Sequence, residues 1–234
     1  GYGAQNLYTF KACCVTKGIL HEMQPKKIGI RTLELDTSKL EDGSRNFFFK
    51  VNGVRIFCKG GNWVPTDSLY LRTPKESYET LVREGAAAHF TMFRMWGGGI
   101  AESDYFFQLC DEMGLLVWQE FWMTGDTKHP QDKDLYLSNV EATVKRLRNH
   151  PSLAYYVSSN ESTEMPGAKD LIMKLDGTRG YQMQSECDGM HDGSPYKQVN
   201  PMQHYENTAS ERGSRVDGFN PEYGSPTIPT CLLY

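Results

Sequence analysis

The chain of 234 residues is 39% apolar and 23% charged, with a formal net charge of −4. That length accommodates one large domain, or one domain with a piece of another, and the composition is that of a globular chain. The mild negative charge gives no reason to expect nucleic acid or an anionic membrane as partner, and no apolar run approaches a bilayer-spanning length.

Residues 1–40 read as β-rich. The stretches 7–15 and 27–35 have strand composition, with a turn at Lys17-Gly18. The polar run 36–45 is a candidate boundary. From Asn46, FFFKVNGVRIFCKGG predicts a hairpin, with Asn52-Gly53 as a type I′ turn and a second strand over 55–59 that ends in GGNW. Thr73-Pro74-Lys75-Glu76 predicts a helix start with Thr73 as N-cap; Tyr78, Leu81 and Val82 form that helix's apolar face. A strand over 90–96 follows and ends in Gly97-Gly98-Gly99. The helix over 103–113 carries Phe106, Leu109, Cys110 and Met113 on one face, with Gly114 closing it. A strand over 115–121, a helix over 134–149 and a strand opening at Leu153 complete four strand–helix alternations. Beyond these come a short helix at 168–175, a fifth strand at 180–185, a Gly/Pro-rich loop at 188–203, a sixth strand near 202–207, and a short strand at 218–224.

Alternation of this kind predicts parallel strands joined by right-handed crossovers, either a doubly wound sheet or a (β/α)8 barrel. No GxGxxG opens a helix and no GxxxxGK[ST] occurs, which disfavours nucleotide-binding folds. The cysteines, Cys13, Cys14, Cys58, Cys110, Cys187 and Cys231, form no CxxC pair, and the histidines form no HExxH or HxH. No metal and no cofactor is expected.

The stretch LAYYVSSNE (153–161) runs from a buried-type strand into small polar residues and ends on Glu161. In a parallel α/β fold a side chain at the carboxyl end of a strand faces the active-site mouth. The alternative is a strand that enters an exposed loop. A second carboxylate, Glu222, ends the short strand GFNPEYG. Two such carboxylates fit glycoside hydrolysis, one protonating the leaving oxygen and the other attacking the anomeric carbon or activating water. Trp63, Trp96 and Trp122 at strand ends, with Asn62 and Asn160, suit a sugar: rings stack on C–H faces and amides bind hydroxyls. Core packing is the competing reading for the tryptophans, and for Trp118, in mid-strand, the favoured one.

Five stretches now resemble glycoside hydrolase family 2: GGNWVPTDS (60–68), FRMWGGGIAESDYFFQLCDEMGLLVWQEF (93–121), RNHPSLAYYVSSNES (148–162), LDGTRGY (175–181) and GFNPEYGSPTIPT (218–230). The resemblance implies a (β/α)8 TIM-type barrel over 43–234, incomplete at its carboxyl end. Residues 1–42 would then be the C-terminal part of an immunoglobulin-like β-sandwich. It implies a retaining β-glycosidase with Glu161 as general acid/base and Glu222 as nucleophile, working by double displacement with the carboxyls ~5–5.5 Å apart. Arg94 would lie beside the nucleophile and favour its ionised form. Asn160 would bind a sugar hydroxyl, and Asn62, Trp63, Trp96, Trp122 and Tyr223 would line the substrate site. Glu120 has two readings, a partner for a substrate amine or, preferred, a partner for Arg94.

WGGG, GGNW and NPEYGS resemble the β-mannosidase, endo-β-mannosidase and exo-β-glucosaminidase side of the family. β-Galactoside is a third substrate, and His-rich motifs of that branch are absent. The implied partner is a β-linked oligosaccharide or glycan, and the implied compartment periplasmic, extracellular or lysosomal. Ser158-Ser159 stand where many relatives carry Gly or Trp. The chain opens without an initiator Met and has no room for an eighth strand after Tyr234, so it is expected to be a portion of a larger enzyme, poorly active alone. Two other classes compete. A non-catalytic carbohydrate-binding fragment would not need both Glu161 and Glu222. A metal-dependent hydrolase would need a His/Asp cluster.

Overall fold

The computed structural model describes residues 3–41, 43, 45–125, 129–187, 190, 192–193, 200 and 219–223. The predicted strand near 202–207 lies outside them.

The first four strands, β1 (Leu7–Phe10), β2 (Cys13–Thr16), β3 (Ile19–Glu22) and β4 (Lys26–Gly29), form an antiparallel ribbon that pairs β1 with β4 and β2 with β3. Lys17 (φ +50°) and Gly18 (φ +76°) turn its tip. Next, β5 (Leu33–Asp36), β6 (Phe48–Val51) and β7 (Val54–Ile56) make a three-stranded antiparallel sheet that crosses the predicted boundary at 42/43. Asn52 (φ +51°) and Gly53 (φ +77°) are both left-handed, as a type I′ turn requires.

The central sheet is parallel, in the order β12-β11-β10-β9-β8, with β8 (Gly60–Trp63), β9 (Met92–Met95), β10 (Leu116–Glu120), β11 (Leu153–Val157) and β12 (Gly180–Gln182). Between them lie α1 (Lys75–Ala87), α2 (Asp104–Met113), α3 (Lys133–Leu147) and α4 (Ala168–Leu175). Two short strands, β13 (Asp192–Gly193) and β14 (Glu222–Tyr223), pair in parallel. Thus β13 falls within the stretch read as loop.

Two local expectations are corrected. The strand predicted at 55–59 splits: 54–56 stays in the hairpin, and GGNW itself is the first strand of the parallel sheet. Composition reads paired glycines as a breaker, but Gly60 is needed there, because a Cβ would come 1.7 Å from the Met92 carbonyl oxygen on β9. Thr73 is not the N-cap of α1. Pro74 holds that place without a side-chain bond, while the Thr73 hydroxyl meets Thr66 Oγ1 at 2.9 Å. Asp132 and Ser103 do cap α3 and α2, accepting the N–H of Leu135 and Phe106.

Alternation along the strands divides two apolar layers. Phe93, Met95, Val117, Phe121, Leu153 and Tyr156 face the helices, against Val82, Phe106, Phe107, Leu109, Val140, Val144 and Ile172. Met92, Leu116, Trp118, Tyr155 and Val157 face the other side, against Phe49 and partly buried Leu33, Leu35, Phe47, Val51 and Phe219. A register shift between Val117 and Trp118 pairs them with Leu153 and Tyr155 and skips Ala154. The extra residue resets the face of all that follows on β11, so that Val157 stands beside Glu120. The sheet β5–β6–β7 closes the inner layer with its aromatic face: the Phe47 ring lies 4.8 Å from Phe219 and 5.7 Å from Tyr155.

Candidate active site

Near the carboxyl ends of β9 and β10 one guanidinium joins Glu120, which ends β10, to Asn160, three residues past β11, and to Glu222, which opens β14 where the sequence placed it at a strand's end. Arg94, on β9, is 5% exposed. Its Nε donates to Glu120 Oε1 (2.6 Å) and its Nη2 to Glu120 Oε2 (3.1 Å). Nη1 donates to Glu222 Oε2 at 2.9 Å, and Nη2 also donates to Asn160 Oδ1 at 2.5 Å. Register puts it there. Asn62, Arg94 and Trp118 pair across β8, β9 and β10, and Glu120 is two residues past Trp118 on the same face.

Glu120 is closed off from solvent. Besides the two Arg94 bonds it accepts the Trp118 indole N–H (3.0 Å) and the Gly97 backbone N–H (2.8 Å). A carboxylate offers about four lone-pair positions, and here all are used. Burial pushes the Glu120 carboxyl above its ordinary value, against the pull of Arg94, Trp118 and Gly97, which hold the charged form. Burial also works against the Arg94 cation, but Glu120 and Glu222 outweigh it and Arg94 is held more firmly protonated than usual. The arrangement thus fixes a permanent cation beside Glu222 and orients the Asn160 amide with its oxygen toward that cation, so that Nδ2 is the donor left for the mouth.

Glu222 is half-buried, with its backbone N–H donating to Asn220 Oδ1 at 3.1 Å. Asn220, Pro221 and Phe219 line a cavity of about 130 Å³ with Asn62, Arg94 and Trp118. Phe219 stacks on Trp118, 5.5 Å between centroids and 7° between planes. Glu161 follows Asn160 directly and is half-buried; its N–H donates to Ser185 Oγ at 3.0 Å. Among the described residues no three His, Cys, Asp or Glu side chains converge as metal ligands.

The structure therefore brings Asn62, Arg94, Glu120, Asn160 and Glu222 together, with Glu161 adjoining. It places two tryptophans elsewhere. Trp63 is 7% exposed, packed on Tyr78, Phe93 and Phe106, and its indole donates to buried Glu102 (2.9 Å), which also accepts from Tyr78. It belongs to the helix-facing layer, because strand parity sends it opposite to Asn62. Trp122 packs edge-on against Phe121 and against Tyr136 of α3, in the same layer. Trp96 is half-buried, its ring folded over Gly98. The Tyr223 side chain lies outside the described residues.

Sequence reasoning missed Asn220, whose signal is an Asx residue two before a glutamate. It favoured core packing for Trp118, which is buried and also donates to Glu120, and missed Ser185, which lies 24 residues beyond Glu161 with no local pattern to mark it.

No family model matches the chain. Mannosylglycoprotein endo-β-mannosidase of Lilium longiflorum is 34% identical across 99% of this chain. β-Mannosidase B of Aspergillus terreus is 39% identical across 75% of it. The crystal structure of β-D-mannosidase from Dictyoglomus thermophilum superposes on 89% of the chain with a TM-score of 0.75 at 29% identity. The chain belongs to glycoside hydrolase family 2. It spans 28% of the lily protein's length, 21% of the fungal protein's and 30% of the Dictyoglomus chain.

Proposed function

We propose that residues 43–234 are the larger part of a (β/α)8 catalytic barrel of a retaining β-glycosidase acting on β-mannosides, and that residues 1–42 end an immunoglobulin-like sandwich. Glu222 is the nucleophile and Glu161 the general acid/base. The carboxylate of Glu222 attacks the anomeric carbon as its bond to the leaving oxygen breaks, and Glu161 gives that oxygen its proton. Water then attacks the same carbon, passes a proton to Glu161, and releases the ester bond to Glu222. Arg94 orients Glu222 through Oε2, and Asn160 offers its amide N–H to a hydroxyl beside the anomeric centre. No cofactor takes part.

The observation that carries this reading is the junction at Arg94, which ties the Glu222 carboxylate, at the start of β14, to the Asn160 amide, just past the end of β11. The sugar follows from Glu120. Its oxygens are filled by four N–H groups, so it has no acceptor left for a substrate ammonium. That favours a neutral β-mannoside over a β-glucosaminide, as the names of the relatives do.

The test is hydrolysis of p-nitrophenyl β-D-mannoside, β-D-glucosaminide and β-D-galactoside, with Glu161→Gln and Glu222→Gln beside the unaltered protein. It is paired with trapping by 2,4-dinitrophenyl 2-deoxy-2-fluoro-β-D-mannoside. The expected result is turnover of the mannoside, lost in both variants, and a mass increase on the Glu222 peptide. Label on another residue, or undiminished turnover in either variant, overturns the assignment. Preference for the glucosaminide overturns the choice of sugar.

A further inference from the structure

Glu161 has φ +50°, in the left-handed region that side chains other than glycine rarely occupy. The other described non-glycine residues there are Lys17 and Asn52, in the hairpin turns before Gly18 and Gly53, and His89, at the exit of α1. Each of those has a local cause, whereas Glu161 ends no helix and turns no hairpin. A residue in this conformation persists only where its surroundings impose it.

The surroundings are two neighbouring loops. Ser185, beyond the end of β12, is fully buried. Its N–H donates to the Ser159 carbonyl at 3.0 Å, and its hydroxyl oxygen accepts the Glu161 N–H at 3.0 Å, so one serine brackets Asn160. On the other side the Asn160 N–H donates to the Met123 carbonyl at 2.8 Å. Gly125 presses on the same peptide: a Cβ there would stand 3.0 Å from the Glu161 carbonyl oxygen and 3.5 Å from its Cβ. In an extended strand the side chains of residues 160 and 161 would point to opposite faces. A left-handed residue at 161 breaks that alternation and allows both to serve one mouth.

We propose that Ser185 is a positioning residue for Glu161, holding its backbone left-handed, with Gly125 keeping open the space that this conformation needs. The proposal rests on Glu161 being the general acid/base. Its test is kcat/KM for aryl β-D-mannosides with leaving groups of rising basicity, from 2,4-dinitrophenol to phenol, in Ser185→Ala, Gly125→Ala and Glu161→Gln. A dinitrophenolate leaves without a proton, so a misplaced acid is felt only with phenol. Ser185→Ala and Gly125→Ala are expected to lose at least about tenfold on the phenyl glycoside, part of the contribution a general acid makes, and nothing on the dinitrophenyl glycoside. Equal loss on both substrates, or none on either, overturns the proposal. Glu161→Gln separates the two readings. If it shows the leaving-group dependence and the other variants do not, only the role of Ser185 falls; if it shows none, the role of Glu161 falls. A crystal structure of Ser185→Ala gives an answer independent of turnover: Glu161 is expected to leave positive φ, and an unchanged φ overturns the proposal.

Discussion

Arg94 is the residue on which the site turns, and its shape matters as much as its charge. Four of its N–H contacts reach three side chains in one plane. Lysine has the charge without the fork. Arg94→Lys is therefore expected to lower kcat/KM on the aryl mannoside by on the order of 10²-fold, since breaking a buried charged network costs about 3 kcal/mol. Circular dichroism would establish that the variant is folded; an activity within twofold of the unaltered protein would remove Arg94 from its role. Cysteines show burial acting on single groups. Burial raises the Cys58 thiol to about 12 and the Cys110 thiol well above its ordinary value, whereas Cys13 and Cys14 are exposed on the ribbon. Iodoacetamide at neutral pH is expected to modify Cys13 and Cys14 in the native protein, and Cys58 and Cys110 only after unfolding, as read by peptide mass spectrometry. Native labelling of Cys110 would contradict its burial.

At the scale of elements, close backbone approach and the closing of α4 decide stability. Gly60→Ala puts a methyl group into the Met92 carbonyl and is expected to cost about 2–3 kcal/mol, measured by urea unfolding, because β8 and β9 cannot both keep their pairing. A loss of unfolding free energy below about 0.3 kcal/mol would show that the two strands can move apart without cost. Beyond α4, Asp176 accepts from Tyr156, Thr178 and Arg179, joining the helix exit to β11 and to the start of β12. Burial pushes its carboxyl up, but Thr178, Arg179 and Tyr156 outweigh it, and the net value lies below the ordinary 3.8. A carboxyl lowered on folding adds stability that is present above 3.8 and is lost as the pH falls below it. Asp176→Asn is expected to lower stability near neutral pH by about 3 kcal/mol and to flatten the fall in stability below pH 4. The unaltered slope in the variant would assign the acid transition to other groups. The helix α2 was legible locally: Ser103 and Gly114 bound it as read, because capping needs only neighbours in sequence. The start of α1 was misread because Thr73 was drawn off to Thr66 by a turn that no local pattern announces.

At the scale of the whole molecule, Arg31 and Gly29 tie the end of the amino-terminal ribbon to the parallel sheet. Arg31 donates through Nε to the Pro151 carbonyl and through Nη2 to the Leu153 carbonyl, both at 2.8 Å, at the start of β11. Gly29 lies against Pro151 so closely that a Cβ would stand 2.7 Å from its ring. The ribbon beyond exposes Val15, Ile19, Leu20 and Ile30, each by more than half. Arg31→Ala is expected to speed hydrogen exchange across β1 and β4 while β9, β10 and β11 stay protected, since no residue of the ribbon enters either buried layer of the sheet. Loss of protection in both would mean one cooperative unit. The strand–helix alternation from β9 to β12 and the two carboxylates were written along the chain, because periodicity, capping and motif spacing act between residues a few positions apart. Which strand-end side chains meet was decided by pairing across the sheet. Parity turned Trp63 toward the helices, the irregularity at Ala154 set the face of everything after it on β11, and register placed Arg94 between Glu120, Asn160 and Glu222. Those outcomes depend on contacts between residues 26 to 128 positions apart, and a one-residue shift in any strand would reverse them.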